Sequence, residues 1–234
     1  MRLFCFLLLG FALSAFAEAV YTPAGPEGPA QTAYAPEKGS GPVVIVLSGA
    51  LGMNHYQGMA ADVARMGYYA VLVEGNDVLT RQRDGAETLR KVIERAQRSP
   101  QGNPGKAAVV GYSAGGGGAI AFAATMPELV SMVVAYYPST SFVKDAGVLG
   151  RRFKVPVLVL AGEQDTYRNC CLIGSMRAME AAAKESGAQF ELVVYPEGRH
   201  GFNHPFNSAY RRDYDEDAFR RLREMLGRYQ PVGN

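Results

Sequence analysis

With 234 residues, 48% of them hydrophobic and 20% charged, the chain can bury the core of one large domain or two small ones. Lys and Arg number 24 and Asp and Glu 22, for a net charge of +2. That balance excludes the basic footprint of a nucleic-acid binder.

The chain opens on Arg2, an apolar run over 3–13, and the small residues Ala15 and Ala17 around Phe16. This is the order of a secretory leader, and the run is short for a membrane span. A signal peptide over 1–17 is expected, with an uncleaved anchor as the alternative reading. Cleavage would remove Cys5, leave no stable membrane anchor and put the mature chain outside the cell or in the periplasm. Residues 18–41, rich in Pro, Gly and Ala, read as an extended arm. The folded domain is expected over 42–234.

From there, short β-branched runs alternate with helical periods. Strands are predicted at 43–47, 69–73, 106–110, 129–135, 155–161 and 190–195. Helices are predicted at 56–65, 86–98, from 114, at 171–185 and at 215–228. Continuous apolar strands separated by helices imply an α/β fold, a mostly parallel sheet covered on both faces. In such sheets the working groups gather beyond the carboxyl ends of the strands.

Gly111-Tyr112-Ser113-Ala114-Gly115 fits the pattern G-x-S-x-G between a predicted strand and a predicted helix. That context marks a nucleophile elbow of the α/β-hydrolase fold, with Ser113 on a tight turn. A glycine-rich turn without chemistry is the plainer reading, so the partners decide. In this fold the acid and then the base follow the nucleophile along the chain. Asp165 lies just past a strand and a glycine exit, with Glu163 as competitor. His200 lies past the strand 190–195, with His204 as competitor. His55 precedes Ser113 and has the wrong order. Two backbone amides are expected to face a developing oxyanion: Ala114, after the nucleophile, and Ala50, in the glycine loop after the first apolar strand.

The only room for a lid is the short segment 138–154, so an open cleft is expected, with Tyr136 and Tyr137 near its wall. The adjacent Cys170 and Cys171 are expected to stay reduced. Neighbouring Cα atoms lie about 3.8 Å apart, closer than ordinary disulfide geometry. Metal binding by the pair is not expected, since adjacent side chains diverge.

In their order, these stretches resemble the dienelactone hydrolase family from about residue 43 to 228: Val43 to Leu47, Gly52-Met53-Asn54, Gly111 to Gly115, Gly162 to Asp165, and His200-Gly201-Phe202. The resemblance implies hydrolysis of a small ester or lactone, with neither metal nor organic cofactor. Two departures stand out. The family's nucleophile is a cysteine where this chain has Ser113, and its glutamate in the early loop falls at Gly49. Both changes point away from the namesake lactone and toward a general serine esterase. The family also holds a substrate carboxylate with arginines. Arg81 resembles one such position, and the other falls at His204. Two further readings remain open: amide hydrolysis by the same three residues, and a binding protein on a hydrolase scaffold.

Overall fold

The structure, a computed structural model, describes residues 19–80, 82 and 84–233. The predicted leader and Arg81 lie outside the described residues. Eight strands form one sheet: β1 (Ala19–Thr22), β2 (Gln31–Tyr34), β3 (Gly41–Leu47), β4 (Tyr69–Val73), β5 (Gly102–Tyr112), β6 (Val130–Tyr136), β7 (Val157–Gly162) and β8 (Phe190–Tyr195). Their order is β1-β2-β4-β3-β5-β6-β7-β8. The six strands from β4 to β8 run parallel, and β1 and β2 add antiparallel at one edge. The segment expected only as an arm thus carries two paired strands.

The helices are α1 (Gln57–Arg65), α2 (Gly75–Val78), α3 (Gly85–Gln97), α4 (Ala114–Ala121), α5 (Gly147–Gly150), α6 (Ile173–Ser186) and α7 (Arg212–Tyr229). Strand alternation splits the core into two layers. On one face Val43, Ile45 and Leu47 of β3 meet Leu89 and Ile93 of α3, Ile120 of α4 and Met176 of α6. On the other, Val44 and Val46 meet Val63 of α1 and Leu222 and Leu226 of α7. Each such side chain, fully withdrawn from water, contributes about 1.5–3 kcal/mol. This double cover is why the central strands read as unbroken apolar runs.

The segment 138–154 forms no cap. Its helix α5 packs against α6, where a Cβ on Gly150 would lie 2.2 Å from the carbonyl oxygen of Met179. The cleft above the sheet stays open, as expected.

No helix among the described residues is long and apolar enough to cross a membrane.

Candidate active site

Strand β5 ends at Tyr112 and α4 begins at Ala114, so Ser113 must turn the chain within one residue. Its φ of 51° and ψ of −110° lie outside the favoured regions for a non-glycine residue. The glycines at positions 111 and 115 permit this. A Cβ on Gly111 would sit 2.4 Å from the carbonyl oxygen of Gly115, and one on Gly115 would sit 2.3 Å from that of Leu47. The turn is pinned on both sides: the Ser113 amide donates to Tyr136, and the Gly115 amide to the carbonyl of Ser48.

The other two candidates arrive from neighbouring loops. Beyond β7 and β8, the Glu163 amide donates to the carbonyl of Tyr195 and the Gln164 amide to that of Gly198, at 2.9 and 3.0 Å. These bonds clamp one loop on the other and bring Asp165 to His200. His200 Nδ1 donates to Asp165 Oδ2 at 2.8 Å. Its Nε2 faces Ser113 Oγ at 3.0 Å and accepts from the hydroxyl. The second oxygen of Asp165 accepts from the Tyr167 amide at 3.0 Å. Asp165 is 2% exposed, a buried carboxylate whose two oxygens are both bonded. The competitor Glu163 pairs at the surface with Arg177.

The cleft over Ser113 encloses about 590 Å³, and its lining includes Ala50, Tyr56, Tyr137 and Tyr167. The Ala114 amide heads α4, and first-turn amides have no intrahelical acceptor. Glu74 holds the loop that carries Ala50: its oxygens accept from the Ser48 hydroxyl and the Met53 amide at 3.0 and 2.9 Å. At Gly49, a Cβ would lie 2.2 Å from the Tyr56 hydroxyl and 3.3 Å from Ser113 Cβ. Tyr56 therefore fills the space a longer side chain at 49 would need. Burial pushes the Tyr56 hydroxyl up to about 12, against the opposing effect of hydrogen bonds with Gly49 and Tyr137, so it keeps its proton.

Three sequence expectations change here. Tyr136 is not on the cleft wall. It is 1% exposed, stacks on Tyr112 at 4.6 Å, and its hydroxyl donates to the Ala218 carbonyl of α7. Strand alternation turns it into the layer beneath α7, and Tyr137 alone reaches the cleft. Cys170 and Cys171 are joined by a disulfide, not reduced. Their Cα atoms do lie only 3.8 Å apart, but the bond closes at that spacing. The pair leaves an irregular turn in which Arg168 and Asn169 have positive φ. His204 borders the cleft, but its Nε2 donates to the His55 carbonyl and burial lowers its pKa. A neutral imidazole there cannot replace an arginine as a fixed cation.

Tyr56, Tyr167 and Glu74 carry no mark in the sequence. Tyr167 stacks on the His200 ring at 4.5 Å, while Tyr137 meets it edge-on at 4.8 Å. These two rings restrict the rotation of the imidazole.

Residues 30–230 match the dienelactone hydrolase family. A relative from Methylorubrum extorquens, named "Putative carboxymethylenebutenolidase", is 25% identical over 86% of this chain and 77% of its own length. A crystal structure of a "Putative Dienelactone Hydrolase" from Klebsiella pneumoniae superposes with a TM-score of 0.76 at 24% identity, covering 91% of this chain and 99% of that one. An acylaminoacyl peptidase from Pyrococcus horikoshii shares the fold at a TM-score of 0.71 and 15% identity, over 94% of this chain and 43% of its own. Sheet order, elbow and family match agree: the chain is an α/β-hydrolase-fold member of the dienelactone hydrolase family.

Proposed function

We propose that this hydrolase cleaves a small carboxylic ester or lactone by a serine acyl-enzyme mechanism. The observation that carries the reading is the unbroken relay from Asp165 through His200 to Ser113, at 2.8 and 3.0 Å. Ser113 Oγ attacks the ester carbonyl as His200 Nε2 takes its proton. Asp165 steadies the imidazolium and keeps the neutral ring in the accepting tautomer. The Ala114 and Ala50 amides hold the oxyanion, and the Tyr56 hydroxyl adds a third donor. His200 returns the proton to the leaving alcohol, and water then releases the acyl group by the same base. No step requires a cofactor.

The chain acts outside the cell or in the periplasm. The leader-like order of residues 2–17 supports this, as does a disulfide, which persists in oxidising compartments. An open cleft suits small substrates.

The test is the hydrolysis of p-nitrophenyl acetate by wild type and Ser113→Ala. The variant should lose about 10³–10⁶-fold in rate, and a fluorophosphonate probe should label Ser113 in the wild type only. Full activity in Ser113→Ala would overturn the mechanism. A matched p-nitroanilide in the same assay separates ester from amide preference.

A further inference from the structure

The vicinal disulfide lies against the candidate base. Donor atoms of Cys170, Cys171 and His200 all fall within 4.8 Å of one another, and they form the one such group of metal-binding side chains among the described residues. We propose that, once its disulfide is reduced, the Cys170–Cys171 pair joins His200 in a site for a thiophilic divalent cation such as zinc, and that filling this site shuts off hydrolysis. The activity half of the proposal rests on His200 as the base. The binding half does not.

The chemistry balances in two steps. A phosphine reductant and one water convert the disulfide to two thiols and a phosphine oxide. A dithiol reductant would do this by exchange. One zinc ion then displaces two thiol protons and takes two thiolates and one imidazole nitrogen. Two Cys and one His make a zinc donor set with a fourth position open to water. With zinc–sulfur bonds near 2.3 Å and zinc–nitrogen bonds near 2.0 Å, neighbouring donors in a tetrahedron lie about 3.5–3.8 Å apart. From a spread of at most 4.8 Å the imidazole and the farther sulfur need approach by about 1 Å, while the two sulfurs, no longer bonded, part to the tetrahedral distance.

Reduction need not scatter the pair, because other bonds hold its loop. The Cys170 carbonyl accepts from the Thr140 amide at 2.7 Å and from the Thr140 hydroxyl at 3.2 Å. The Cys170 amide donates to the Tyr167 carbonyl at 2.9 Å. Cys171 is buried and Cys170 half-buried, so a bound ion would be partly shielded from water. Both nitrogens of His200 are already in use, Nδ1 with Asp165 and Nε2 with Ser113. Whichever one the ion takes, the relay breaks. In the oxidised chain the sulfurs have no thiolate to offer, so the disulfide protects the base from metal.

The experiment uses the full chain with Cys5→Ser, so that only the pair can supply thiols. Oxidised and reduced samples are freed of reductant, titrated with zinc against a chromophoric chelator, and assayed on p-nitrophenyl acetate. The reduced chain should bind one equivalent at least 100-fold more tightly than the oxidised chain. Its hydrolysis should fall more than tenfold at one equivalent and return with EDTA. His200→Asn should weaken zinc binding by the reduced chain more than tenfold, a readout independent of activity. Equal affinity in both redox states, or unchanged affinity in His200→Asn, would overturn the site. A rate abolished by reduction before zinc is added, or unaffected by bound zinc, would overturn inhibition by occupancy. If the chain hydrolysed no ester in either state, the serine mechanism would fail while the titration still decided the site.

Discussion

Asp165→Asn is the substitution whose outcome the geometry specifies most closely. Asp165 uses one oxygen for the Tyr167 amide and the other for His200 Nδ1. Asparagine has only one oxygen. If that oxygen keeps the Tyr167 amide, its NH2 group faces Nδ1, which must then give up its proton to accept. The proton moves to Nε2 and points at Ser113, so the ring can no longer act as base. Flipping the asparagine amide restores the tautomer but sets its NH2 against the Tyr167 N–H, costing about 1–3 kcal/mol for an unsatisfied buried donor. That alone is about 5- to 150-fold in rate. Loss of the carboxylate that stabilises the imidazolium adds to it, for a total of about 10³–10⁴-fold in kcat. Shape and hydrogen-bond count are conserved, so the melting temperature should move by no more than about 2 °C, within the range for a near-neutral buried change. Steady-state kinetics on p-nitrophenyl acetate beside a thermal melt would check both numbers. An Asp165→Asn enzyme with more than a tenth of wild-type kcat would refute the assignment of Asp165. A large fall in melting temperature with parallel loss of activity would mean that the residue is structural.

Removing the Tyr56 hydroxyl as Tyr56→Phe should lower kcat about 10- to 100-fold with little change in KM, somewhat less than for a principal oxyanion donor. An unchanged kcat would remove Tyr56 from the mechanism. Burial also raises the hydroxyls of Tyr112, Tyr136, Tyr137 and Tyr195 above 10. A folded-state value above the unfolded one means the folded chain holds protons that the unfolded chain releases, so stability is intact below pH 10 and falls as pH rises above it. For Tyr56 the rise from 10 to about 12 corresponds to roughly 3 kcal/mol. Melting temperature should hold between pH 7 and 9 and drop steeply above 10, and a flat profile to pH 11 would contradict the burial of these rings.

Much of the fold is legible in the residues. The predicted bounds at 69–73 and 190–195 coincide with β4 and β8: burial on both faces leaves an apolar run in β4, and β8, half-exposed at the sheet edge, keeps a β-branched and aromatic run. The strands β1 and β2 were not recognisable. Their few residues are partly polar and flanked by Gly and Pro, and they become strands only by pairing, β2 with β4 and β1 with β2. The three candidate catalytic residues were legible through chain order and the glycines at strand ends, which are local marks. Glu74 meets Ser48 and Met53 26 and 21 residues back, Tyr167 stacks on His200 well along the chain, and Tyr56 meets Gly49 across a loop that has no regular period. Nothing local records such packing. Tyr136 shows the same limit: its position at a strand end is visible in the sequence, but the face it takes depends on where the strand stops.

The docking of α7 bears on how this enzyme could be altered. Tyr136 and Tyr195 reach from the sheet to the Ala218 carbonyl and the Asp217 carboxylate of that helix. Just before α7, the Arg211 amide donates to the carbonyl of Phe202, two residues past His200. The stretch from 200 to 229 is thereby one mechanical piece, keyed to the sheet by two hydroxyls near its middle and carrying the imidazole at its start. A change that reseats α7 to gain heat tolerance would also swing the base relative to Ser113. Stabilising substitutions are best confined to the solvent side of α7 or to α3 in the opposite layer, since α6 touches the loop of Asp165 through the Arg177–Glu163 pair.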